Sequence, residues 1–252
     1  LFRSRLAIRG SKNTTGENIS LSKPLFAKLV NMDQFHSGPI VSRTHVNPVS
    51  VINGGQGIII DYSGKRFIDE GSTYVAKAKA CAQSTLDNKA VLVIDSRCPR
   101  LETVIKKFER LNTPYGKADS VEEAAKQMGL DSQKVVSAVN EYNQAVKDKN
   151  LKNLVPPCNH RNPLPIEQGP FYIIPFEGGM TATFGGPLIN TKAEVLTLEN
   201  DPIPGLYAAG NAAGGLFYNN YIAGSQLGAA TVFGRIAANQ AIERAKHNKL
   251  GE

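Results

Sequence analysis

Residues 205–236 read Gly-Leu-Tyr-Ala-Ala-Gly-Asn-Ala-Ala-Gly-Gly-Leu-Phe-Tyr-Asn-Asn-Tyr-Ile-Ala-Gly-Ser-Gln-Leu-Gly-Ala-Ala-Thr-Val-Phe-Gly-Arg-Ile. The stretch is expected to begin as a short buried strand, Leu206 to Ala209, and to break at Gly210. A glycine-rich loop follows, then a small-residue apolar helix from about Gly224 to His247. A strand, a glycine loop and a helix N-terminus together suit an anionic or electron-rich ligand. Glycine lets the backbone approach closely, and unpaired N–H groups and the helix dipole point at the ligand. The same pattern also serves as a tight strand-to-helix turn in any α/β domain.

Working outward, the 252 residues suffice for one large domain or two modest ones. No apolar run approaches the roughly 18 residues of a membrane span; Ala90 to Ile94 is the length of a buried strand. A net charge of +7 fits either acidic ligands or a merely basic surface. Nucleic acid is not expected as a partner, because no dense Lys/Arg block is interleaved with aromatics. Cys81, Cys98 and Cys158 lack C-x-x-C spacing, and the four histidines lack ligand spacing. Reduced thiols, no metal site and a cytoplasmic setting are the expectation, although an export signal could lie upstream of Leu1.

The middle of the chain carries local signals. Gly57 to Asp61 reads as a strand, Ser63-Gly64 as a turn and Lys65 to Ile68 as a returning strand. Ala76 to Ala82 is a small-residue helix, Ala90 to Asp95 a buried strand and Leu101 to Leu111 an amphipathic helix. Ser120-Val-Glu-Glu123 is a capping box, and Asp131 caps a helix reaching about Lys149. Residues 150–170 read as a linker. From Gly169 the pattern turns to strands with glycine breaks.

Three segments in order, "GKRFIDE" (Gly64 to Glu70), "GGPLINTKAEVL" (Gly185 to Leu196) and the 205–236 stretch, resemble the fumarate reductase/succinate dehydrogenase flavoprotein family. Within it the chain is most similar to tricarballylate dehydrogenase-like and ketosteroid dehydrogenase-like members. The resemblance implies an α/β fold with an α+β cap: a discontinuous, Rossmann-like FAD-binding domain over 1–32 and 168–252, and a substrate cap over 33–167. The family opens with a G-x-G-x-x-G unit, which this sequence lacks. The resemblance therefore implies the C-terminal portion of a longer flavoprotein, with an N-terminal FAD-binding segment as its missing partner.

The implied cofactor is FAD and the implied reaction is hydride transfer between flavin N5 and a substrate C–C bond next to a carboxylate or carbonyl. The implied substrate is a small organic acid or an enone. Fumarate-reducing members carry an arginine where this chain has Tyr74, a histidine where it has Thr181, and an arginine where it has Tyr221. These departures point away from fumarate. The resemblance implies Tyr74 and Tyr221 as catalytic. A tyrosine base, with a reference pKa near 10, needs a cationic neighbour, for which Arg66 is the candidate and Arg43 the alternative. His36, Thr181 and Thr183 are implied at the substrate. Gly185, Gly186, Gly210, Asn211, Gly224, Ser225, Gln226 and Leu227 are implied at the cofactor. The rival expectation is a non-catalytic fragment or a fumarate reductase-like enzyme without the usual arginine and histidine site.

Overall fold

The computed structural model describes residues 6–54 and 56–249. Its strands are β1 (Ala7–Ile8), β2 (Leu29–Val30), β3 (Phe35–Ile40), β4 (Ile58–Asp61), β5 (Ala90–Ile94), β6 (Gly116–Ala118), β7 (Phe171–Thr183), β8 (Gly186–Pro187), β9 (Glu194–Leu196) and β10 (Pro202–Tyr207). Its α-helices are α1 (Glu17–Ser22), α2 (Val49–Ile52), α3 (Tyr74–Ser84), α4 (Leu101–Arg110), α5 (Val121–Gln127), α6 (Ser132–Lys147) and α7 (Ser225–Lys249). The chain forms two units. One takes the chain up to Arg9 and then Ser37–Met180; the other takes Gly10–His36 and the chain from Thr181 onward.

The first unit is built on a mixed sheet in the order β1-β7-β5-β4, with β3 and β6 also paired to β7. β1 runs parallel to β7, while β4, β5 and β6 pair antiparallel. Strand side chains alternate between faces, and here both faces are covered. Ile59, Leu92, Ile94, Ile174 and Phe176 pack with Val104, Ile105 and Phe108 of α4. Ile58, Ile60, Val91, Val93 and Ile173 pack with α5 and α6 through Ala124, Val135, Val139 and Tyr142. Burial on both sides is why β5 is an unbroken apolar run rather than an alternating one.

The helix caps behave as the sequence indicates. Ser120 Oγ accepts from Glu123 N at 3.2 Å and Asp131 Oδ1 from Lys134 N at 3.3 Å. The turn after β4 is tied by Asp61, whose Oδ1 accepts from Ser63 N at 2.8 Å, with Gly64 at a φ of 83°.

The second unit holds two antiparallel two-stranded sheets, β2–β8 and β9–β10, with α1 and α7. Two expectations are corrected here. The strand before the glycine loop is β10, Pro202–Tyr207, not Leu206–Ala209, and none of its residues is buried, because β9 is its partner in a two-stranded sheet. The region from Gly169, expected to be broken at glycines, holds the 13-residue β7. Gly178 sits inside that strand because a Cβ there would lie 2.1 Å from Ala78 O. Asn88 also grips it, donating from Nδ2 to Gly178 O and accepting from Gly178 N, both at 2.8 Å.

Candidate functional site

In the first unit, Tyr74 lines a cavity of about 460 Å³ with Arg9, Val49, Ser50, Asn53, Gly54, Pro99 and Arg100. Tyr74 opens α3, whose N-cap Thr73 accepts from Ala76 N at 3.2 Å. The α2 wall is fixed at both ends: Asn47 Oδ1 accepts from Val49 N at 3.0 Å, and Lys77 Nζ donates to Ile52 O at 2.7 Å. Lys77 is 2% exposed, and burial lowers its ammonium pKa to about 8. Arg9 follows β1, its N–H bonded to Met180 O at 2.9 Å. Its guanidinium lies against Gly38, where a Cβ would come within 2.9 Å of it. Arg100 stands at the entry to α4 in the left-handed conformation, φ 63°. Arg9, Arg100, Ser50, Asn53 and Tyr74 line this space with no acidic residue among them, residue types that supply donors to an organic anion.

Arg66 is placed differently from its expected role as the cation beside Tyr74. It is buried at 5% exposure and committed to Glu70, with Nε to Oε1 at 2.9 Å and Nη2 to Oε2 at 2.6 Å. Its Nη1 donates to Pro156 O at 3.0 Å. Burial opposes the charged form, but the hydrogen bonds and charge of Glu70 prevail and raise the Arg66 pKa above its ordinary value. With its donors on Glu70 and Pro156, Arg66 is built into the scaffold; the cations that share the Tyr74 cavity are Arg9 and Arg100.

In the second unit, four rings meet. Tyr221 lies 4.5 Å from the His36 ring, 5.6 Å from Phe217 and 5.8 Å from Phe184 between centroids. His36, expected in a loop, lies on β3 and is 2% exposed. The cluster is pinned by backbone contacts. Gln34 O accepts from Phe184 N at 2.9 Å, Gln34 Oε1 from Asn219 N at 3.3 Å, and Phe217 O from Asn31 Nδ2 at 3.0 Å. Thr181 is partly buried and Thr183 exposed, both at the end of β7.

The expected cofactor residues separate into two groups. At Gly185 a Cβ would sit 2.7 Å from Met32 Cα, and at Gly186 3.0 Å from Ala212 O. At Gly210, φ 59°, it would sit 3.0 Å from Ala230 Cβ. These glycines admit neighbouring protein. Gly224, φ 87°, stands at the head of α7, and a Cβ there would meet nothing within 4 Å. The first-turn N–H groups of Gln226 and Leu227 have no acceptor within the helix. Gln226 Nε2 donates to Asn211 Oδ1, tying the glycine loop to this turn, while Gln226 Oε1 is buried without a hydrogen-bond partner. An open glycine, unpaired first-turn donors and a buried amide oxygen fit the polar edge of a flavin ring. Arg9, Arg100, Ser50, Asn53 and Phe184 escaped the sequence reading, since none falls in a quoted motif, and Phe217 was passed over although it lies within the 205–236 stretch.

The chain belongs to the FAD binding domain family, which matches residues 8–227. It is 30% identical over 235 residues to the probable fumarate reductase Ifc3 of Shewanella frigidimarina, covering 92% of this chain and 39% of that protein. The open conformation of a flavocytochrome c3 fumarate reductase superposes with a TM-score of 0.77 at 26% identity, over 97% of this chain and 43% of that one. The 3-ketosteroid Δ1-dehydrogenase of Sterolibacterium denitrificans shares the fold, with a TM-score of 0.74 at 24% identity, over 97% and 51%. The chain thus spans about two fifths to half the length of these relatives. Among the described residues no helix is long and apolar enough to cross a membrane.

Proposed function

We propose that this chain carries the substrate cap and the ring-side flavin contacts of an FAD-dependent oxidoreductase acting on a C–C bond activated by a carboxylate or carbonyl. The observation that carries the reading is the Tyr74 cavity, in which a phenol shares its walls with Arg9 and Arg100. FAD supplies hydride exchange at N5 when bound. The chain's own residues supply the rest. The two guanidinium groups hold and polarise the substrate's carboxylate or carbonyl. The Tyr74 hydroxyl moves a proton at the carbon next to the one that exchanges hydride. Ser50 and Asn53 orient the remaining polar atoms. Gly224, Gln226 and Leu227 hold the flavin's polar edge, and Asn211 braces Gln226. The substrate class is a tricarballylate-like polycarboxylate or a ketosteroid-like enone.

A second reading, fumarate itself, is favoured by the similarity to fumarate reductases and by the two cavity arginines. Against it stands Tyr221, engaged with three other rings. The test uses protein expressed from its complete reading frame and supplied with FAD. After photoreduction without oxygen, a panel of unsaturated dicarboxylates, tricarboxylates and enones is scored for flavin reoxidation. Reoxidation by one class that slows in Tyr74→Phe supports the reading. A folded protein that takes up no FAD overturns it.

A further inference from the structure

One wall of the Tyr74 cavity is held from behind. α2 is a single helical turn, Val49–Ile52, and a turn of that length does not stand by itself in water. Val51 and Ile52 are buried in the core beneath it, while Val49, Ser50 and the following Asn53 line the cavity. Carbonyls in the last turn of a helix have no donor within that helix. The Ile52 carbonyl receives one from outside, Lys77 Nζ at 2.7 Å.

Lys77 is a costly donor for this place. It is buried on α3, three positions after Tyr74, a spacing that puts both side chains on one side of the helix. It takes part in no ion pair among the described residues. The titratable groups that feel it are Glu70, Asp69, Cys158 and His160. Glu70 is taken up by Arg66, and Asp69 by Asn159 and the Gly71 N–H. A buried ammonium partnered by a carbonyl carries a desolvation cost that an apolar side chain would not. What it adds is a positive charge at the C-terminal end of α2, where a helix favours one. The Ile52 carbonyl and the Asn53 N–H belong to one peptide group, and that N–H donates to Val49 O at 2.8 Å. The ammonium thus polarises the very hydrogen bond that closes the turn.

We propose that Lys77 is a positioning residue for the Tyr74 cavity: its charged hydrogen bond to Ile52 O closes the α2 turn and so sets where Ser50 and Asn53 stand relative to Tyr74. Its bearing on substrate rests on that cavity being the substrate site. Lys77 acts there only through α2, so its loss weakens binding without removing a reacting group.

Two measurements on protein expressed from its complete reading frame test this. The first is NMR with carbonyl-labelled isoleucine and nitrogen-labelled asparagine, which marks the Ile52-Asn53 and Ile189-Asn190 peptide groups. The Ile52-Asn53 signal is identified by its loss in Ile52→Val, and Ile189-Asn190 serves as the reference. Between about pH 6 and about pH 10, the Ile52-Asn53 signal should titrate with a midpoint of about 8 as the ammonium loses its proton. Lys77→Gln should abolish that titration. A wild-type signal that does not titrate, or a titration that survives in Lys77→Gln, overturns the proposal. The second measurement follows reoxidation of photoreduced, FAD-loaded protein by fumarate, trans-aconitate and cyclohex-2-enone. In Lys77→Gln the KM of the compound that reacts should rise by roughly tenfold, the scale of one lost charged hydrogen bond. Its kcat should stay unchanged, the mark of lost binding and not of lost chemistry. A fall in kcat at unchanged KM overturns the positioning role. If none of the three compounds reoxidises the flavin, the substrate reading fails, and the Ile52-Asn53 titration decides the role of Lys77 by itself.

Discussion

Replacing Arg66 by methionine leaves a carboxylate stranded in the interior. Glu70 is 1% exposed, and its Oε1 accepts from Arg66 Nε at 2.9 Å and from Ile59 N at 3.1 Å. Its Oε2 takes Arg66 Nη2 at 2.6 Å. In Arg66→Met the carboxylate retains only the Ile59 N–H, and the Pro156 carbonyl loses its donor. Removing one member of a buried pair costs about 3–5 kcal/mol. In a domain of this size each kcal/mol moves Tm by about 2–4 °C, so the expected fall is about 6–20 °C. Circular dichroism melts at neutral pH read this directly. Arg66→Met/Glu70→Leu should fall less than the single change, because it leaves no buried charge: beyond the Pro156 carbonyl that both variants orphan, it strands only the Ile59 N–H, at about 1–3 kcal/mol. Arg66→Lys should lie between wild type and Arg66→Met, since a point charge cannot reproduce the two-point grip. A fall in Arg66→Met smaller than about 3 °C refutes the reasoning and returns Arg66 to the role at Tyr74 that the sequence suggests.

Tyr74→Phe should slow turnover by about 10²- to 10⁴-fold with an unchanged melt, read by anaerobic flavin reoxidation beside circular dichroism. Lys77 has its folded pKa lowered to about 8 from an ordinary 10.5. Between these values the unfolded chain binds the extra proton, so its contribution to stability rises with pH, by up to roughly 3 kcal/mol. Denaturant unfolding of wild type against Lys77→Met should therefore shift toward wild type across that window; a difference that stays flat refutes it. Gly185→Ala forces a Cβ to within 2.7 Å of Met32 Cα and 2.8 Å of Asn31 O, costing about 1–3 kcal/mol by guanidinium unfolding. Gly224→Ala also carries a left-handed φ but meets no neighbour, so its cost should be confined to about 1 kcal/mol of backbone strain.

Much of the first unit was legible because its signals are local. The capping residues Ser120 and Asp131 and the apolar runs of β5, α4 and α6 state their structure within a few residues. What could not be read was the partner of each polar group. Arg66 and Tyr74 stand eight positions apart in sequence, close enough to suggest a charged phenol. The guanidinium instead meets Glu70 four residues on and Pro156 ninety residues on. The cations that reach Tyr74's cavity come from the end of β1 and the entry to α4, brought there by sheet pairing and not by any motif.

The glycines carry the same lesson to the cofactor. A glycine in sequence announces that something approaches the backbone closely, but not what approaches. At Gly185 it is Met32, at Gly186 Ala212, and at Gly210 Ala230. Of the four glycines expected at the cofactor, Gly224 alone leaves the space around its missing side chain open, and there the chain also presents helix donors and the buried Gln226 amide oxygen. A ligand-contacting glycine differs from a packing glycine in this respect: its absent side chain matters to something other than the protein. That criterion singles out the head of α7, where Gln226 Nε2 donates to Asn211 Oδ1, as the place to test first for a flavin contact. Gly224 is therefore the glycine whose replacement should separate FAD affinity from stability.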